Sequence, residues 1–121
     1  MITKKEVHQY NAYTVEIEAL QIQIKEFDIL KGLNHPIDSS IKELLDMYQS
    51  KIEVAEKQRD KIKRFLDSIQ DADLHQSFLL WTEGKPIREI TQEVYHGYYA
   101  DSSIKNKMYR YIDKYNKEHD S

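Results

Sequence analysis

Residues 82–94 read TEGKPIREITQEV, and the reading of this stretch decides the fold. Gly84 is followed two residues later by Pro86. Glycine ends helices because it tolerates the left-handed conformation at no steric cost. Proline suits the first turn of a helix, where its missing N–H is not needed. The pair predicts a sharp corner between two helices. Such a corner is either plain packing or the entry to a helix-turn-helix, and the rest of the chain has to decide.

Punctuation is sparse on both sides of the corner. The 121 residues hold three glycines and two prolines, and all but Gly97 fall in two short breaks. This favours a few long helices over many short strands. Hydrophobic residues make up 40 % of the chain and charged residues 32 %, which predicts a modest core and broad solvated helix faces. Cysteine is absent, which excludes a disulfide framework and thiolate chemistry and suits an intracellular, cytoplasmic setting. No stretch approaches the length of a membrane span, and the N-terminus shows no signal-peptide pattern. The net charge of −3 means that any attraction to nucleic acid must come from local clustering.

Before the corner, two long helices are expected. Thr3-x-x-Glu6 fits a capping box. From there Tyr10, Tyr13, Ile17, Leu20, Ile24 and Phe27 follow at spacings of 3, 4, 3, 4 and 3, a heptad seam. Val15, Ile22 and Ile29 form a second stripe on a different face. Gly32 ends this helix, and LNHPID forms the loop. A second capping box, Ser40-x-x-Glu43, predicts a helix start at Asp38 to Ser40. Leu45, Tyr48, Ile52, Ala55, Arg59, Ile62, Leu66 and Ile69 then repeat at 3 and 4, giving a helix of about 30 residues and about 45 Å. Arg59 sits at a seam position, where a charge either fixes register or partner or snorkels to the edge. The two helices make an antiparallel, coiled-coil-like hairpin over residues 1–70. A two-helix hairpin needs a third helix, the C-terminal unit or a second subunit to cover it, so this part is read as serving dimerisation or partner binding, and the extra stripe makes a homodimer the expectation.

After the hairpin, Asp71 or Asp73 caps a short helix over about 73–83, carrying Leu74, Phe78, Leu79 and Trp81. The next helix starts at Pro86 with Ile87, Ile90 and Val94. The stretch YHGYYAD interrupts, and Asp101, Ser102 and Ser103 can cap a last helix over about 103–117. Residues 71–121 thus form a three-helix unit, and the fold class is all-α.

Enzyme signals are missing. His8, His35, His75, His96 and His119 match no metal-site spacing and suit surface positions. Asp71 and Asp73 read as helix caps. No P-loop, dinucleotide fingerprint or nucleophile elbow is present. The chain is read as a non-enzyme without a cofactor or metal.

Charge clustering is more telling. Between Ser102 and Lys117 stand Lys105, Lys107, Arg110, Lys114 and Lys117, against a single acid, Asp113. A helical wheel sets Ile104, Met108, Tyr111 and Tyr115 on one side. Ser102, Asn106, Tyr109, Arg110 and Asp113 fall on the other, with Lys105 and Lys107 on the flanks. A recognition helix needs apolar residues to seat it, Asn and Arg to reach base edges, and lysines for phosphates. A solvated basic face on a terminal amphipathic helix is the plain alternative. The other basic cluster, KQRDKIKR at 57–64, reads as a solvated face with i,i+4 pairs.

The stretch LHQSFLLWTEGKPIREITQEV, followed by SSIKNKMYRYIDKY, resembles the sigma-factor region 4 type of helix-turn-helix. The corner is Trp81-Thr82-Glu83-Gly84, the supporting helix Ile87-Arg88-Glu89-Ile90-Thr91, and the recognition helix opens Ser102-Ser103-Ile104-Lys105. A helical hairpin followed by this motif is similar to the small phage-encoded transcriptional regulators of the RinA and ArpU type. That resemblance implies a phage or prophage regulator in the bacterial host, binding double-stranded DNA. Ser102, Ser103, Lys105, Asn106, Lys107, Tyr109, Arg110 and Lys114 would be the contacts. Thr91 stands where the family pattern has alanine, and the turn after Val94 is longer and aromatic. The other reading is therefore a helical protein-interaction module, an inhibitor or adaptor binding host RNA polymerase or another host protein, with Tyr95, Tyr98 and Tyr99 as contacts.

Overall fold

The computed structural model describes residues 1–32 and 39–119. Among these residues the chain is all-helical, with six helices: α1 (Lys4–His8), α2 (Tyr10–Gly32), α3 (Ser39–Asp67), α4 (Ala72–Thr82), α5 (Ile87–Tyr95) and α6 (Asp101–His119). The expected LNHPID loop, with His35 and the candidate cap Asp38, lies outside the described residues. Ser40, the other candidate cap, already lies inside α3. That helix runs for 29 residues.

The contacts divide the chain into two compact units, one of residues 1–11 with 60–121, the other of residues 12–59. This differs from the boundary at residue 70 expected from the helix pattern, and the difference has a clear cause. The first residues are used as core by the C-terminal helices. Ile2 and Val7 are 3 % and 0 % exposed and join one cluster with Ile62, Phe65, Phe78, Ile90 and Met108. Asn116 of α6 holds the backbone of Ile2 at both ends. The Ile2 N–H donates to Asn116 Oδ1 at 2.8 Å, and Asn116 Nδ2 donates to the Ile2 carbonyl at 2.8 Å. His8 Nδ1 lies 3.0 Å from the Trp81 carbonyl.

This recruitment also accounts for a break at Gln9, where a single helix was expected to run on from Thr3. The capping box itself forms. The Glu6 N–H donates to Thr3 Oγ1 at 3.1 Å, and the Thr3 hydroxyl donates to Glu6 Oε1 at 2.9 Å. Lys61 Nζ then bonds Glu6 Oε2 at 2.9 Å, fastening α1 to α3. Burial pushes the Glu6 carboxyl up, but the bonds from Lys61 and Thr3 outweigh it and hold it below its ordinary value.

At the centre of this unit is an aromatic cluster. Phe65 meets Phe78 edge-on at 5.2 Å and Tyr115 edge-on at 5.0 Å. The polar atoms brought in with the aromatics find partners, as buried groups must. Tyr111 Oη lies 2.9 Å from Ser68 Oγ, and Ser77 Oγ lies 3.3 Å from Tyr95 Oη.

In the unit of residues 12–59, Ile17 and Ala55 are buried. Phe27 and Tyr48 place their rings 6.3 Å apart, and Tyr13 and Glu16 share an apolar cleft with Met47, Val54 and Gln58. Later residues of α2 thus meet earlier residues of α3. Arg59 is half-buried rather than enclosed. Val15, Ile22 and Ile29 are 63 %, 59 % and 58 % exposed, so the second stripe of α2 has no cover within the described residues.

Candidate nucleic-acid interface

The corner at Gly84 is built as glycine requires. Gly84 has φ +86°, and its N–H bonds the Trp81 carbonyl at 3.0 Å, while the Lys85 N–H reaches Leu80 at 3.2 Å. These bonds satisfy the last carbonyls of α4. The other end of α4 is capped by Asp71, which accepts from the Leu74 N–H at 3.0 Å. Pro86 is the residue just before α5, and its carbonyl takes the Ile90 N–H at 3.2 Å.

Thr91 fits where the pattern has alanine. It is 1 % exposed, and its hydroxyl donates to the Ile87 carbonyl at 2.9 Å, so no polar atom is left unpaired. The end of α5 turns through two left-handed residues, His96 at φ 55° and Gly97 at φ 75°. Their N–H groups close on Gln92 and Thr91. The helix α6 begins earlier than the sequence pattern suggests. The Ala100 carbonyl takes the Ser103 and Ile104 N–H groups, so Asp101, Ser102 and Ser103 form the first turn instead of preceding it.

One face of α6 is anchored by Ile104, Met108 and Ile112, which are at most 3 % exposed. Ser102, Ser103, Lys105, Asn106, Lys107, Arg110 and Lys114 are all exposed. Tyr109 is placed differently from the rest of the expected set. It is half-buried, with its ring 6.3 Å from Trp81 and the Lys4 ammonium 3.8 Å above it. Lys105 approaches the same ring at 5.5 Å. Lys4 is thereby a cation beside α6 that sequence reading missed, because nothing local links residues 4 and 109.

Lys107 is not a bare cation either. Its Nζ lies 3.7 Å from Asp71 Oδ2. The Leu74 N–H holds the Asp71 carboxyl below its ordinary value against an opposing effect of burial, and the nearby Lys107 lowers it further. Both partners are about half exposed, so the pair is weak and open to competition.

The aromatic turn separates into two kinds of residue. Tyr98 and Tyr99 are 85 % and 59 % exposed, but Tyr95 is a core residue at 7 %. Its ring meets Tyr99 edge-on at 5.7 Å. Tyr95 is therefore removed from the accessible contacts expected of the turn, because it ends α5 on the same buried face as Ile90 and Thr91, with its hydroxyl 3.3 Å from Ser77 Oγ. Among the described residues, no group of three His, Asp or Glu side chains is placed to hold a metal ion, and no helix is long and apolar enough to cross a membrane. No family model, curated protein or solved structure matches the chain.

Proposed function

We propose that the chain is a non-enzymatic, DNA-binding transcriptional regulator of phage or prophage origin, acting in the cytoplasm of a bacterial host with α6 as its recognition helix. The observation that carries this reading is the two-sided character of α6. Ile104, Met108 and Ile112 seat the helix, and Asn106, Arg110 and Lys114 stand exposed away from them. Asn and Arg can each make paired hydrogen bonds to a base edge, to adenine and guanine respectively. Lys105 and Lys107 stand at the flanks, where phosphates pass. A mobility-shift titration on duplexes from the protein's own genomic neighbourhood, at several salt concentrations, tests it. Binding that weakens steeply with salt supports the reading, since each phosphate contact releases counterions. Absence of binding even at low salt rejects it.

A second reading is favoured by Tyr98 and Tyr99, two large exposed aromatics side by side. Tyrosine is enriched at protein interfaces. In this reading the chain is an adaptor or inhibitor of host RNA polymerase or another host protein, and its complex changes little with salt.

A further inference from the structure

On α2, Val15, Glu18, Ile22, Lys25 and Ile29 recur at spacings of 3, 4, 3 and 4, the repeat of a helix-pairing stripe. The unit of residues 12–59 leaves this stripe uncovered. Its three aliphatic residues are all more than half exposed. Glu18 and Lys25 are exposed too, and together with Gln21 and Ile22 they line a shallow concavity. Ile17, Leu20, Ile24 and Phe27 lie on nearly the opposite side of the helix, at about 100° per residue. Single exposed aliphatics are ordinary, but a regular row of them marks an interaction surface.

We propose that this stripe joins two copies of the chain antiparallel, about a twofold axis beside Ile22. The order of residues selects the occupant. Val15 and Ile29 each lie seven residues from Ile22, whereas the charges on the two sides are opposite, Glu18 before and Lys25 after. Antiparallel pairing sets Ile22 on Ile22, Val15 against Ile29, and Glu18 against Lys25 twice. A twofold interface must be complementary to itself, and this stripe is. Parallel pairing in register buries the same aliphatic residues but sets Glu18 on Glu18 and Lys25 on Lys25. The charges therefore choose the direction, while the aliphatic residues supply the association. The pairing stands independently of what α6 binds, so loss of one leaves the other intact.

The chain has no cysteine, so introduced thiols report the geometry cleanly. Ile22→Cys should oxidise to a covalent dimer. Val15→Cys and Ile29→Cys should each cross-link poorly alone and well as an equimolar mixture. In sedimentation equilibrium, Glu18→Lys and Lys25→Glu should each weaken the dimer several-fold, and the double reversal E18K/K25E should restore it. All five side chains are exposed, so helical content, checked by circular dichroism, should be unchanged. A monomeric wild type at high micromolar concentration overturns the proposal. So does preferential self-linking of Val15→Cys, or a double reversal as weak as its singles.

Discussion

At the scale of the residue, Arg110 and Lys107 separate two kinds of contact. Arg110 is exposed on the outer face of α6. Arg110→Ala should cost about 1–3 kcal/mol of DNA affinity and relax preference at one base position, measured on specific and scrambled duplexes. Lys107→Ala should weaken all sequences alike and lower the salt slope by about one. Asp71 supplies a sharper version of the same test, because it both caps α4 and holds Lys107. Asparagine caps as well as aspartate. Asp71→Asn should therefore keep the melting temperature while releasing Lys107, and DNA binding at low salt should tighten. Weaker binding by this variant would show that Lys107 has no part in contacting phosphate. Most of these residues were legible as a set from the wheel of the last helix. Tyr109 and Tyr95 were not, since their burial depends on Trp81, Lys4 and Ser77, which are distant in the chain.

At the scale of the element, Gly84 and Phe65 carry the corner and the core. No atom lies within 4 Å of where a Cβ would sit at Gly84, so only its left-handed backbone resists substitution. Gly84→Ala should lower stability by about 1–2 kcal/mol, seen in urea denaturation. Phe65 is 0 % exposed and touches aromatic rings from α4 and α6. Phe65→Ala should cost about 3–5 kcal/mol, enough to lose cooperative unfolding at moderate temperature. The helices themselves were largely readable, because caps such as Thr3 and Asp71 and breaks such as Gly84 act within one turn. The interruption at Gln9 was not readable. It follows from seating Ile2 and α1 against partners 55 to 114 positions further along the chain, at Lys61, Trp81 and Asn116.

At the scale of the whole molecule, the N-terminal residues belong to the core of the C-terminal helices. Removing residues 2–9 should strip Ile2 and Val7 from that core, at roughly 1.5–3 kcal/mol for each buried side chain. The melting temperature should fall well below that of the intact chain, whereas an independent 71–121 unit would be unaffected. Acid should loosen the same seam. The Glu6 carboxyl, which bonds Lys61 across that seam, is held below its ordinary value. Its contribution is fully present above the unfolded carboxylate range and is lost as pH falls through the lowered folded value. A pH titration of unfolding should show stability declining on the acid side, and Glu6→Gln should flatten part of that decline.

Local chemistry by itself determined the helical class, the corner at Gly84, the caps at Thr3 and Asp71, the two stripes of α2 and the basic face of the last helix. Each of these is set by propensity, capping or a 3.6-residue period, which act within a few residues. Only the tertiary structure decided that Ile2 and Val7 close the C-terminal core, that Tyr95 is buried while Tyr98 and Tyr99 are exposed, and that Lys4 sits over Tyr109. These depend on which faces meet after the chain has folded back on itself, and no periodicity along one helix encodes its partner.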